Sequence, residues 1–425
     1  MTTNILDPSL NMCFPNNYKL SFYKNSYSQS NKDYFDLNEN FITCKSTDLP
    51  NPLYCNIDKY NVLKEITKCY NEKYFSSTQK NTFQYIRNLN NPFEFIGKSI
   101  FKNRAGVKLA NIDAVFKLTN PQGFTFDNKQ SNDDFSFCDI ASGPGSFTQY
   151  LQYRFPKSKG YGITIRHKFN DWDEKIINMN NFNSYYGDDD TGDLYTNCLN
   201  FISFVLDKEP NGVNLVVGDG AFDITYEDQE FKSSRLLLTQ VIVGISCTKI
   251  NGNFVVKVLD TITQFSAQII YILSLCFKSI SLFKPISSRP ANSERYLVCL
   301  NKNEQTLTYL TLLKNSLSLY NNDTYLKTLF SNVLPNDFTY WLTLNNDVSI
   351  NLRLLIGKKI IYCMKYLCPL EYNPNINDLL YYINNKLKNT NLDDETKSKL
   401  YYLKNNHIQY DINKFLTIWN LPDNI

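Results

Sequence analysis

From about residue 81 the chain switches between two hydrophobic periods. FQYIRNLNNPFEFIGKSIFKNRAGVKLANIDAVFKL carries apolar residues at helical spacing and breaks at Asn91-Pro92, which predicts two helices with Lys108 on the second. FSFCDI then reads as a strand, SGPGS as a turn and FTQYLQYRF as a helix. KGYGITI, NLVVGDG, NFVVKVLD and ERYLVCL read as further strands, and SSRLLLTQVIVGISCTKI and FSAQIIYILSLCFKSI as the helices between them. Strands separated by helices of this length predict an α/β fold with a mostly parallel sheet covered on both faces. Residues 1–80 show weak periodicity and read as an N-terminal extension. The α/β core spans 81–301. Residues 302–425 read as a mainly helical region, through TYLTLLKNSLSLY, SINLRLLIGKKIIYCMKYL and DDETKSKLYYLKNN.

Composition narrows the picture. A net charge of +3 over 425 residues gives no global field for a polyanion, so a nucleic-acid site would be a local groove. Eleven cysteines without a CxxC pair, and only two histidines, argue against a structural metal and for reduced thiols, as in a nucleus or cytoplasm rather than a secreted protein. The strongest apolar run, IIYILSLCF, is far short of the ~20 residues of a membrane helix.

Four charged residues stand out. Lys108 lies on a predicted helix, Asp219 closes one apolar strand, Lys257 closes another, and Glu294 precedes RYLVC. Ligands of such sheets bind at the carboxyl ends of the strands, where Asp219 and Lys257 fall. Taken singly, Lys257 could snorkel, Asp219 could serve a turn, and Glu294-Arg295 could be a surface pair. Together, two lysines and two carboxylates suit deprotonation of a sugar hydroxyl for methylation. The turn DIASGPGSF, with Gly143, Pro144 and Gly145 after Asp139, lacks both GxGxxG and GxxxxGK[ST], and suits S-adenosylmethionine better than a nucleotide phosphate. The acidic stretch YYGDDDTGDL is either a solvated loop or, through Asp193 and Leu194, a contact for adenine.

NPFEFIGKSIFKNRAGVKLANIDAVF, FCDIASGPGSFTQYL, NLVVGDGAF and LFKPISSRPANSERYLVC resemble the eukaryotic and viral cap-specific mRNA ribose 2′-O-methyltransferases, cap-1 enzymes of the FtsJ-like class. The resemblance runs from about Arg87 to Leu300. It implies a Rossmann-like methyltransferase sheet, S-adenosylmethionine as donor, and 5′-capped mRNA as substrate. It makes Lys108, Asp219, Lys257 and Glu294 the catalytic tetrad, with Lys257 as base. Cofactor contacts map to Asn103, to Asp139, Ile140, Ala141, Ser142, Gly143, Pro144 and Gly145, and to Asp193 and Leu194. Arg87, Gln229 and Asn292 map to capped-RNA contacts. EKYFSS resembles the region that holds the methylated guanine, through Lys73 and Phe75. The sequence departs from the family at Thr164-Ile165, where many methyltransferases place an acid, and at Ser146, where a further glycine is usual. No G-patch, guanylyltransferase-like or WW module is recognisable, although partnership with transcription or polyadenylation machinery stays open. Ribose methylation of rRNA or tRNA, and an RNA-binding or polymerase accessory role, remain the alternatives.

Overall fold

The computed structural model describes residues 20–25, 37–45, 47–70, 72, 80–91, 93–94, 96, 100–119, 135–167, 170–177, 179–221, 228–304, 306–321, 323–367, 388, 394, 397, 412–419 and 421–422. Strands β2 (Ser136–Ile140), β3 (Lys159–Ile163), β4 (Phe182–Tyr185), β5 (Val213–Gly218), β6 (Thr248–Leu259), β7 (Phe277–Phe283) and β8 (Glu294–Lys302) form one sheet in the order β4-β3-β2-β5-β6-β8-β7. The first five are parallel, and β8 runs antiparallel to both its neighbours. The chain order reverses between β2 and β5, which opens a crevice beyond their carboxyl ends.

Alternation along the strands builds two cores. Val216 and Val256 face helices α6 (Leu194–Lys208), α8 (Ser234–Cys247) and α9 (Gln264–Cys276), through Phe201, Val241 and Ile269. Leu215, Val217 and Val255 face α3 (Ala105–Phe116) and α4 (Ser146–Arg154), through Val107, Phe147 and Leu151, and the one-turn α5 (Glu174–Ile177) adds Ile176 to the same core. Helix α12 (Ile412–Ile418) adds Phe415 and Leu416 to that second core. The expected α/β fold, parallel except at one strand, is therefore present.

Several segments differ from the sequence reading, among them TKI, which opens β6 instead of ending a helix. FKSI ends no helix: it opens β7, because the helical period of α9 stops at Cys276 and FKSISLF alternates. The stretch before residue 80 contains β1 (Glu39–Lys45) and α1 (Ile57–Cys69). The side chain of Asn56 caps α1, which buries a narrow stripe of Leu63 and Ile66. Between α10 (Leu307–Leu317) and α11 (Asn336–Leu367) lies β9 (Thr324–Phe330), which pairs antiparallel with β1. DDETKSKLYYLKNN falls almost wholly outside the described residues.

The flanking segments grip the sheet next to its ligand end. Helix α11 packs on α1 and on α2 (Lys80–Leu89). Arg295, 1% exposed, donates to Thr261 Oγ1 (2.9 Å), Asn346 Oδ1 (2.6 Å) and Asn345 O (3.2 Å). Asn346 donates in turn to Thr261 O and Tyr54 O, and the Leu53 and Tyr54 amides donate to Ile262 O. Arg353 pairs with Asp260 at 2.6 Å. The loop leaving β6 is thus held by residues far away in sequence. Arg353→Ala would leave the Asp260 charge largely buried and unpaired. It is expected to cost about 3 kcal/mol of unfolding free energy in urea titrations; a change below ~0.5 kcal/mol would mean the pair adds nothing.

Candidate active site

Because β8 is antiparallel, its first residue lies where β6 ends, and Glu294 pairs across the strands with Leu259 and Tyr296 with Lys257. Lys108, one turn into α3, meets the Glu294 carboxylate at 2.8 Å. Lys257 meets Asp219 Oδ1 at 3.0 Å and donates to the Asp219 carbonyl at 2.5 Å. These four side chains are only 9–15% exposed. Burial opposes the charge on Glu294, but Lys108 and then Lys257 hold its carboxyl well below the usual carboxylate range. Glu294 therefore feels both lysines, and the two ion pairs form one cluster. Each predicted tetrad residue is in it.

Tyr296 belongs to the same cluster and was missed in the sequence. Its ring is fully buried and its hydroxyl donates to Asp219 Oδ1 at 2.8 Å. The signal was present: two residues after Glu294 on a strand, Tyr296 must share its face. Ser288 also donates to Glu294, at 2.5 Å. A small cleft opens beside Lys257, lined among others by Gly220, Glu230, Gln240, Val258 and Asp260.

The glycine turn adjoins the cluster. The Asp219 amide donates to Ile140 O at 3.3 Å and to Ser142 Oγ at 3.2 Å. A Cβ on Gly220 would lie 3.0 Å from Ala141 Cβ, so this floor admits only small groups. Gly145, at φ +101°, caps α4 without a side chain, leaving backbone to line the turn. Asn103 is tied to the same turn: its amide donates to Ser146 Oγ at 2.9 Å, and its side chain accepts from the Ala105 amide. Gly106 lets α3 come this close, since a Cβ there would sit 3.0 Å from Ser146 O.

Thr164, at the strand end where many methyltransferases place an acid, links the turn to the acidic loop. Its hydroxyl accepts from the Gly143 amide (3.1 Å) and donates to Asn170 O (3.2 Å). Gly192, at φ +64°, lies against its carbonyl, where a Cβ would come within 1.9 Å. Beyond it, Asp193 caps α6 by accepting from the Tyr195 amide at 2.9 Å, and Leu194 packs into the core. The acidic stretch is organised rather than loose: Asp189 accepts from Asn197 and Thr191. Backbone amides, hydroxyls and nearby carboxylates around one crevice suit a ligand carrying an ammonium, a carboxylate and a sulfonium, so these residues fit S-adenosylmethionine.

Of the predicted RNA contacts, Gln229 accepts from Ser293, the neighbour of Asn292, at 3.3 Å, and the Asn292 side chain accepts from Lys284. Gln229 opens the one-turn helix α7 (Gln229–Lys232). Arg87 is in the last turn of α2, which leads to Glu94. Glu94 pairs with Arg104 and Arg289, and these guanidiniums overcome burial to lower its carboxyl to about 2. Lys73 and Phe75 lie outside the described residues.

Asp139 sits fully buried beneath the turn, accepting from Thr148 N (3.1 Å) and Thr148 Oγ1 (2.7 Å). Burial pushes its carboxyl up to about 7, against these bonds and with the Asp219 charge adding. The folded chain then holds a proton that the unfolded chain has released, between the ordinary aspartate range and about 7, so this group's stabilisation falls as pH rises through that window. The stability difference between Asp139→Asn and the parent, followed in urea from about pH 4.5 to 8, should therefore shift in favour of the variant up to about pH 7. A pH-independent difference would contradict this.

Comparison with known proteins agrees with the geometry. Residues 101–302 match the model of the FtsJ-like methyltransferases. The chain is 36% identical over 255 residues to a cap-specific mRNA (nucleoside-2′-O-)-methyltransferase 1 of Danio rerio, covering 56% of this chain and 30% of the relative. It is 37% identical over 245 residues to the protein of the same name in Drosophila melanogaster, covering 55% and 31%. The chain thus spans about a third of the length of these relatives. A crystal structure described as a ribosomal RNA methyltransferase of Plasmodium falciparum overlaps 48% of this chain and 98% of its own, at 20% identity and a TM-score of 0.33, too small a superposition to add to the topology. The four clustered charges, the glycine turn and β2 to β8 all fall within one matched segment, and residues 101–302 are an FtsJ-like methyltransferase domain.

Proposed function

We propose that this chain methylates the ribose 2′-hydroxyl of the first transcribed nucleotide of 5′-capped mRNA, converting cap-0 to cap-1, with S-adenosylmethionine as donor. The observation that carries the proposal is the meeting of the pairs Lys108–Glu294 and Lys257–Asp219 beside the glycine turn. The names of the relatives supply the substrate class. When bound at Asn103, the turn from Asp139 to Gly145, and the Asp193-Leu194 loop, S-adenosylmethionine supplies an electrophilic methyl group on a sulfonium.

A ribose hydroxyl is a weak nucleophile, so its proton must leave as the new C–O bond forms. Lys257, an ammonium in the resting ion pair, must first give up its own proton and then takes the hydroxyl proton as the neutral amine. Asp219 aims it through carboxylate and carbonyl, and Tyr296 fixes Asp219 by donating to the same carboxylate oxygen. Lys108 and Glu294 hold the far side of the acceptor position with no net charge. Arg87, Gln229 and Asn292 bind the capped RNA, and Lys73 and Phe75 take the methylated guanine.

The test is methyl transfer to short capped RNA, with the modified position read by nuclease digestion and mass spectrometry. Label is expected on the first nucleotide's 2′-oxygen of capped RNA and not on uncapped RNA; equal labelling of both would favour an rRNA- or tRNA-type substrate. Lys257→Ala is expected to abolish transfer while the affinity for S-adenosylhomocysteine stays within about twofold. Retained turnover would remove Lys257 as base. Arg87→Ala is expected to weaken RNA binding and spare the cofactor, and unchanged RNA affinity would refute its assignment.

A further inference from the structure

A fifth charged group lies behind the tetrad. Lys284 follows β7 directly, is 2% exposed, and points at the segment that enters β8. Its ammonium donates three hydrogen bonds: to Asn292 O (2.9 Å), Asn292 Oδ1 (2.9 Å) and Glu294 O (2.8 Å). An ammonium has three hydrogens, and all three are used on one three-residue stretch. That stretch contains a tetrad carboxylate at one end and a proposed RNA contact at the other. Holding Asn292 by its side-chain oxygen fixes which edge of the amide faces away from Lys284. Holding the Glu294 carbonyl fixes the strand end from which its carboxylate reaches Lys108.

We propose that Lys284 is a positioning residue for methyl transfer: its ammonium clamps residues 292–294, setting the Glu294 carboxylate against Lys108 and turning the Asn292 amide hydrogens toward the acceptor RNA. The proposal rests on the function argued above and deepens it. The groups facing Lys284 come from every side: Glu294 and Arg295 on β8, Arg353 on α11 and Lys108 on α3. Burial pushes the amine down to about 7, against the attraction of Glu294 and with the three cations adding. Losing the proton leaves two hydrogens and a lone pair for three oxygens, so one contact turns repulsive and the clamp loosens on the alkaline side.

Two readouts test the clamp on the full chain. One needs no turnover: with asparagine side chains labelled with nitrogen-15, the Asn292 amide resonance should move as pH passes about 7, and should not do so in Lys284→Met. A wild-type resonance that stays still across that range overturns the clamp. The other is methyl transfer to short capped RNA as a function of pH. Lys284→Met should lower turnover at saturating RNA by roughly 10- to 100-fold, the scale of a small misplacement. It should also leave the affinity for S-adenosylhomocysteine unchanged and remove the alkaline fall in rate. Asn292→Asp places a carboxylate against the ammonium, so it should move that fall to higher pH even where the methionine variant does not fold. An alkaline fall unchanged in every folded variant overturns the proposal. Absence of transfer by the parent chain would instead refute the proposed reaction, and the resonance would still decide the clamp.

Discussion

Two lysine ammoniums sit at the ligand end of this sheet with little solvent, and such charges persist there only when acids are held against them. The fold meets this requirement from four directions. Lys108 comes from a helix, Asp219 from the end of a parallel strand, Lys257 from the next strand, and Glu294 from the start of a strand running the other way. A fully parallel sheet would begin each strand at the opposite end, so the reversed β8 is what brings Glu294 to the site. Its register matters as much. A slip of one residue against β6 would turn Glu294 and Tyr296 to the other face and leave Lys108 without its acid.

The matched methyltransferase segment does not stand alone. Arg295, the residue after Glu294, is anchored in α11, and the loop after β6 is tied to α11 and to residues 53–54. The strand β1, early in the chain, pairs with β9, late in the chain. Both flanks therefore hold the loop that leaves β6. Lys284 holds the segment that enters β8.

Much of this was legible because the chemistry and the period agree. Asp219 and Lys257 end apolar runs, and strand ends are where such sheets bind ligands. The glycine turn was legible because Gly145 needs a left-handed backbone and Gly143 a close approach. Lys284 was not singled out, since it looks like ordinary composition until its partner Glu294 is seen; Thr164 stood out only as a departure, without its role toward Gly143, and Tyr296 was overlooked although its place on the Glu294 face was readable. The strand β7 was hidden because no glycine or proline separates it from α9. The helix α1 was hidden because its apolar stripe is narrow, and its partner α11 lies nearly 300 residues later.

Whether Lys108 and Glu294 act as one unit in the site is tested most directly by a double-mutant cycle on methyl transfer to capped RNA. The rates to compare are those of the parent, Lys108→Met, Glu294→Gln and the double variant. A single cluster predicts that the double variant is about as slow as the slower single one, a coupling above ~1 kcal/mol. Effects that simply multiply would mean that Lys108 and Glu294 serve separately, and would contradict a shared site.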